Sequence, residues 1–240
     1  DHRDLHSFPT RRSSDLVSWY YGPELYIIGN PFKEPVPIMS IGDVIAGAIA
    51  GTIKDGDEIK IQGILIGSSK NSAFWLQDAT GGINLYVPSG LRDIFATFEH
   101  GIELELTGEY EVYNGLNEIT NFTYKIINET PALPEAQDIS GLEFTSEDLL
   151  DYQGELVKLS GLKITQIEQD SYGSFSITLL NETTEVEFEV TLDNRVAFFD
   201  GVETELLTYS VGDMLDLDNV VVSWYNGPEL YIIGNPFPTE

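Results

Sequence analysis

The sequence predicts an all-β chain: two tandem five-stranded Greek-key barrels, each with a short helix, preceded by the terminal hairpin or strand of a lost module. Three observations carry this. Apolar and polar residues alternate over many short runs, and long stretches of helical period are scarce. The two halves align with each other in order over a whole module. VSWYYGPELYIIGNPF at 17–32 returns as VSWYNGPELYIIGNPF at 222–237, with Tyr21 exchanged for Asn226.

Each element has a local reason. A helix is expected over 40–50 and again over 146–151. A first strand opens with Ile59 and Ile61, or with Val157 and Leu159, and each copy has a central glycine, Gly63 or Gly161, suited to a bend or bulge. Asp78–Gly82 and Asn181–Glu185 have the turn chemistry of a hairpin joining the second and third strands. Irregular or helical links follow over 89–99 and 194–207. The next strand alternates Ile102, Leu104 and Leu106 with Glu103, Glu105 and Thr107, which reads as half-buried with an acidic outer face. Val186, Phe188 and Val190 alternate with Glu187 and Glu189 in the same way. The last hairpin is placed at Asn114-Gly115 and at Asn226-Gly227, the pair a two-residue type I′ turn prefers. In the first copy Tyr21 puts a bulky side chain where positive φ is wanted, so that copy is expected to be poorly ordered or paired out of place.

The repeat fixes the alignment more firmly than any single motif. Gly56 matches Gly154, Asp78 matches Asn181, and Gly101 matches Gly212. Five strands with a link between the third and fourth is the order of the OB-fold. The implied organisation is 1–16 as a disordered stretch outside the modules, 17–35 as a remnant, 36–130 as the first barrel and 131–240 as the second, with proline-bearing linkers at 33–37 and 129–134.

Residues 74–83, FWLQDATGGI, with Leu106-Thr107-Gly108 and Tyr113-Asn114-Gly115, resemble the OB-fold modules of bacterial extracellular proteins that sit beside secreted nucleases, phosphoesterases and adhesin-like repeats. The likeness covers 38–127 and reaches the second half mainly through the internal repeat. It implies a non-catalytic accessory module, extracellular or on the cell surface, whose partners are neighbouring domains and single-stranded nucleic acid or polysaccharide. The other reading is a structural or adhesive spacer without a soluble ligand.

Residues 1–16, DHRDLHSFPTRRSSDL, resemble the in-frame translation of a common short-read sequencing adapter, and are set aside from fold reasoning for that reason. Without them 37 acidic residues face nine basic ones, His100 is the sole histidine, and the net charge stays at −28. Such a charge repels phosphate polyanions, and the basic residues are scattered along the chain. An acidic solubilising surface explains it, as does adaptation to a salty medium. The absence of cysteine excludes disulfides and thiolate sites. No run of residues approaches the length of a membrane span.

Barrels of this order take ligands on the face of strands two and three and on the first and last hairpin loops. That surface would offer Lys70, Phe74, Trp75, Tyr86 and Tyr113 in the first barrel and Tyr172, Phe175, Trp224 and Tyr225 in the second, with the rings stacking on bases or sugars. Strand alternation also directs about half of such rings into the core. Asp78 reads as a turn cap, and Asp216/Asp218 as a solvated stripe lacking the further ligands of a calcium loop. A lone His100 completes neither a zinc site nor a triad. No catalytic residue, metal site or cofactor is assigned.

Overall fold

The computed structural model describes residues 34–130 and 132–237, and the backbone of two earlier strands. The chain divides into two units, 1–36 and 37–240. In the first unit β1 (Asp15–Trp19) pairs antiparallel with β2 (Pro23–Ile27), Trp19 lying opposite Pro23. The second copy of the repeat uses the same register, with Trp224 opposite Pro228. The expectation that the first copy would pair out of place is therefore corrected for its strands, and Asp15 and Leu16 of the adapter-like stretch lie in β1; the turn at 20–22 and the adapter-like residues before Asp15 lie outside the described residues.

In the second unit the first barrel comprises β3 (Ile38–Met39), α1 (Ile41–Ile49), β4 (Glu58–Lys70), β5 (Ala73–Asp78), β6 (Gly81–Tyr86), α2 (Arg92–Phe95), β7 (Glu103–Tyr113) and β8 (Leu116–Asn128). The second comprises β9 (Gln137–Asp138), α3 (Ser146–Leu150), β10 (Leu156–Gln169), β11 (Phe175–Asn181), β12 (Val186–Leu192), α4 (Phe199–Leu206), β13 (Met214–Trp224) and β14 (Pro228–Ile232). Spatial order is β4-β5-β6-β8-β7 with β7 closing onto β4, and β10-β11-β12-β14-β13 with β13 closing onto β10. The third and fifth strands of each barrel run parallel. Both barrels are closed, five-stranded and OB-like, as expected from the sequence.

The repeat is visible in the backbone. Gly56 and Gly154 take φ of 87° and 81°, and Gly101 and Gly212 take 101° and 100°. The N–H of Gly101 donates to Leu65 O at 2.7 Å, and that of Gly212 to Ile164 O at 2.8 Å. The Asp78 carboxylate accepts from the N–H groups of Thr80, Gly81 and Ile41, so it closes the β5–β6 turn and fastens α1 to it. The amide oxygen of Asn181 does the same for Thr183 and Thr184. Ser40 caps α1 through the Asp43 N–H, and Thr145 with Asp148 forms a capping box on α3.

Two local expectations change. Asn114 and Gly115 both have positive φ, as a type I′ turn requires, but of Asn226 and Gly227 only Asn226 does. Pro228 is the cause: it has no N–H to close a two-residue turn, so the second hairpin opens into a three-residue loop between Trp224 and Pro228. Gly161 sits at a register shift in β10, whereas Gly63 lies in unbroken register with β7. Gly63 serves close approach instead, since a Cβ there would fall 2.9 Å from Gln77 O.

Each barrel has its own core. Phe95 of α2 plugs the first, with its ring 5.5 Å from Phe74, 5.6 Å from Phe122 and 5.2 Å from Tyr124 in edge-on contacts. Phe175, Ile177, Leu179 and Leu217 centre the second. A third apolar cluster joins the barrels: Ile66, Trp75 and Leu116 from the first meet Leu156, Val221, Tyr231 and Ile233 from the second.

This junction accounts for a departure from strand alternation. Along β5 and β6 the outward residues Trp75, Gln77, Gly82 and Asn84 are as buried as the inward ones. The second barrel covers them. Gln77 Oε1 accepts from Leu156 N at 2.9 Å, and Gln153 joins Asn117 and Gly115. Gly82 meets the backbone of Gly154 so closely that a Cβ would stand 1.9 Å from its carbonyl oxygen.

Candidate functional site

The packing redistributes the residues expected to bind a ligand. Phe74 and Phe175 point inward and are buried in the two barrel cores, because alternation along β5 and β11 puts them there. Trp75 points outward but lies in the junction, 1% exposed, its indole N–H donating to Ser69 Oγ at 3.1 Å. Trp224 packs over Gly115 of the first barrel. None of these four presents a free ring to a ligand. Lys70 is half-buried with its ammonium 4.9 Å from the centre of the Tyr231 ring. Tyr86, Tyr113, Tyr172 and Tyr225 remain exposed.

The strand-two and strand-three face of the first barrel is thus closed. The equivalent face of the second is open but carries Ser176, Thr178 and Leu180 beside Thr191, Glu189 and Glu187, with no aromatic ring.

The junction leaves a cleft of about 360 Å³ beside it, lined by Ser68, Asn71, Arg92, His100, Arg195 and Phe198 among others. Arg92 and Arg195 are the only arginines outside the first sixteen residues, and His100 is the only histidine there. At Arg195 the cleft meets a hollow of about 480 Å³ bounded by Asp170, Tyr172, Ser174, Asp193 and Asn194. The first hairpin loop of each barrel contributes to the composite, Asn71 from one and Tyr172 from the other.

The two guanidinium groups are held differently. Arg195 Nε donates to Asp193 Oδ1 at 2.8 Å and Nη2 to Oδ2 at 2.6 Å. Burial alone would raise the Asp193 carboxyl, but the bonds from Arg195 outweigh it and hold it below its ordinary value. Those same bonds raise Arg195. The fork fixes the guanidinium plane, and three of its five N–H groups stay outside it. Arg92 Nε donates to Val87 O at 3.2 Å, and the group has no carboxylate partner among the described residues. Burial lowers His100, so at neutral pH it is an uncharged donor and acceptor. Asp93 also lines the cleft. The arrangement suits one or two phosphate groups bonded to guanidinium, amide and hydroxyl donors. Sequence reasoning passed over Arg92, Arg195 and Asn194 because they are isolated polar residues in link segments, and over Asn71 because it is a polar residue in a hairpin turn. One signal was present: Arg92 and Arg195 are 103 positions apart, the offset that also relates Asp78 to Asn181.

A second cleft of about 440 Å³ is lined by Tyr86, Tyr113, Glu111, Glu118, Thr120 and Asn121. Glu111 and Glu118 are cross-strand partners between β7 and β8. Burial, and then repulsion from Glu111, pushes the Glu118 carboxyl from its ordinary 4.5 up to about 7. The folded chain therefore keeps this proton to a higher pH than the unfolded chain does, and stability falls as pH rises from about 4.5 to about 7. Glu118→Gln removes that loss. Urea unfolding should find the variant about 1–2 kcal/mol more stable than the parent at pH 8, discounted because the carboxyl faces an open cleft, and equal to it at pH 4. Equal stability at both pH values would refute the shift.

No family model matches the chain. It is similar to Endonuclease YhcR of Bacillus subtilis (strain 168), 33% identical over 135 residues, which cover 52% of this chain and 11% of that protein. Among solved structures, a murine DNA-binding protein bound with double-stranded DNA superposes with a TM-score of 0.36 at 15% identity, covering 77% of this chain and 99% of that one. The p204 HINb domain does so at 0.34 and 13%, covering 74% and 93%. Superpositions this loose say nothing about function.

Proposed function

We propose that the tandem barrels are a non-catalytic accessory unit of a larger secreted or surface-attached bacterial protein, and that they hold single-stranded nucleic acid in the cleft between the barrels. The observation that carries this is the convergence of Arg92 and Arg195, with both first hairpin loops, on the cleft and the hollow that adjoins it at Arg195, in a chain whose net charge is −28. Identity to an endonuclease over 11% of its length is what an accessory segment shared with a larger enzyme would give. Overall repulsion of a polyanion is screened beyond about 10 Å at 0.1 M salt, so contacts inside the cleft decide whether a strand stays bound.

The test is fluorescence anisotropy with a twelve-nucleotide oligothymidylate. Weak binding is expected at low salt, falling with a slope of about −0.7 per phosphate engaged, or about −1.4 for two. Arg195→Gln should reduce both the affinity and the slope, by about 0.7 in the slope. No binding at about 20 mM salt, or binding indifferent to salt, rejects the nucleic-acid reading, and the second outcome points to a neutral polymer such as a polysaccharide. Burial of the β5–β6 face favours a second reading, a rigid spacer between neighbouring domains, which predicts no binding in this assay.

A further inference from the structure

We propose that the cleft formed by β6, β7 and β8 of the first barrel binds an organic cation, an ammonium or guanidinium group on an aliphatic arm, between Glu111, Glu118 and the ring of Tyr113. The cleft lies outside the inter-barrel site. Glu118 is only 7% exposed, yet among the described residues it has no hydrogen-bond donor and no basic partner. Its cross-strand neighbour is a second acid, Glu111, and like charges directly opposite on a sheet repel. The Glu118 oxygens are not among the fully buried unpartnered atoms, so the open side of the carboxyl faces this cleft, where no protein group meets it. Desolvation disfavours its anion.

The surroundings select the sign of the ligand. Glu109 flanks the cleft, holding the Asn121 amide at 2.8 Å, and Asp55 accepts from Val112 N at 3.1 Å. Arg92 stands 5.9 Å from the centre of the Tyr86 ring. That approach to Tyr86 is taken, so an incoming cation sits toward Tyr113, which is 52% exposed. A guanidinium or ammonium there would bridge the two carboxylates and lie against an aromatic face. A calcium ion would need six to eight oxygen ligands, more than two carboxylates supply.

The probe is agmatine, titrated into the full chain by calorimetry at pH 8. Saturable binding with a Kd below about 10 mM is expected. Glu118→Gln should weaken it about tenfold, because the amide cannot replace a charge-assisted hydrogen bond to the cation. Glu103→Gln, at the far end of β7 opposite Asn128, should leave it unchanged. If Glu118→Gln does not fold, Tyr113→Ala at an exposed position takes its place and should weaken binding severalfold. The proposal is overturned if agmatine does not saturate, if Glu103→Gln weakens it as much as Glu118→Gln, or if equimolar calcium displaces it.

Discussion

Replacing Gly82 by alanine should break the union of the two barrels. The added methyl would stand 1.9 Å from the carbonyl oxygen of Gly154 and 2.1 Å from its carbonyl carbon. Both are backbone atoms, so no side-chain rotation relieves the clash. Gly154 cannot yield either: its φ is +81°, and a Cβ there would meet the Gly82 carbonyl carbon at 2.5 Å. Overpacking against mobile side chains costs about 1–3 kcal/mol. A collision between two main chains exceeds that, and about 3–5 kcal/mol is expected unless the barrels separate first. In urea the parent should unfold in one transition because the junction couples the barrels, and Gly82→Ala should split it in two. Small-angle scattering should show an enlarged radius of gyration. Gly90→Ala is the control, since a Cβ at Gly90 meets nothing within 4 Å. An unchanged single transition in Gly82→Ala would show that the barrels do not depend on this contact.

Barrel order and strand positions were legible because each element carries its own local signal. Asp78 and Asn181 cap equivalent turns, and Gly101 and Gly212 take φ values one degree apart. Asn114-Gly115 was legible as a turn, whereas Asn226-Gly227 misled, because the decisive residue was Pro228 one position on. The site was less legible. Period-two alternation says which side chains leave the core but not what meets them outside it. Trp75, Gln77 and Gly82 look like an open ligand face in sequence, and their burial is decided by residues 154–156, 221, 231 and 233, far along the chain. Arg92 and Arg195 converge only because the barrels pack in this way, and neither barrel alone contains the pair.

Trp75→Ala should therefore behave as a core truncation and not as the loss of a binding ring. The side chain is 1% exposed, lies among Ile66, Leu156, Tyr231 and Ile233, and donates its indole N–H to Ser69. Removing a buried tryptophan costs about 3–5 kcal/mol, and the cavity would open at the junction itself. Tyr172→Ala, at a residue 83% exposed in the first hairpin loop of the second barrel, should change stability by less than about 0.5 kcal/mol. Denaturant titrations of both variants, beside oligothymidylate binding, separate the two roles. If Trp75 is structural, Trp75→Ala loses binding only in step with the junction, whereas Tyr172→Ala weakens binding in a chain that remains fully folded. The converse result, a stable Trp75→Ala with selectively weakened binding, would mean that the β5–β6 face opens to a ligand and that the barrels part to admit it. The cleft between Arg92 and Arg195 would not survive that parting, so one polymer cannot use both surfaces at once.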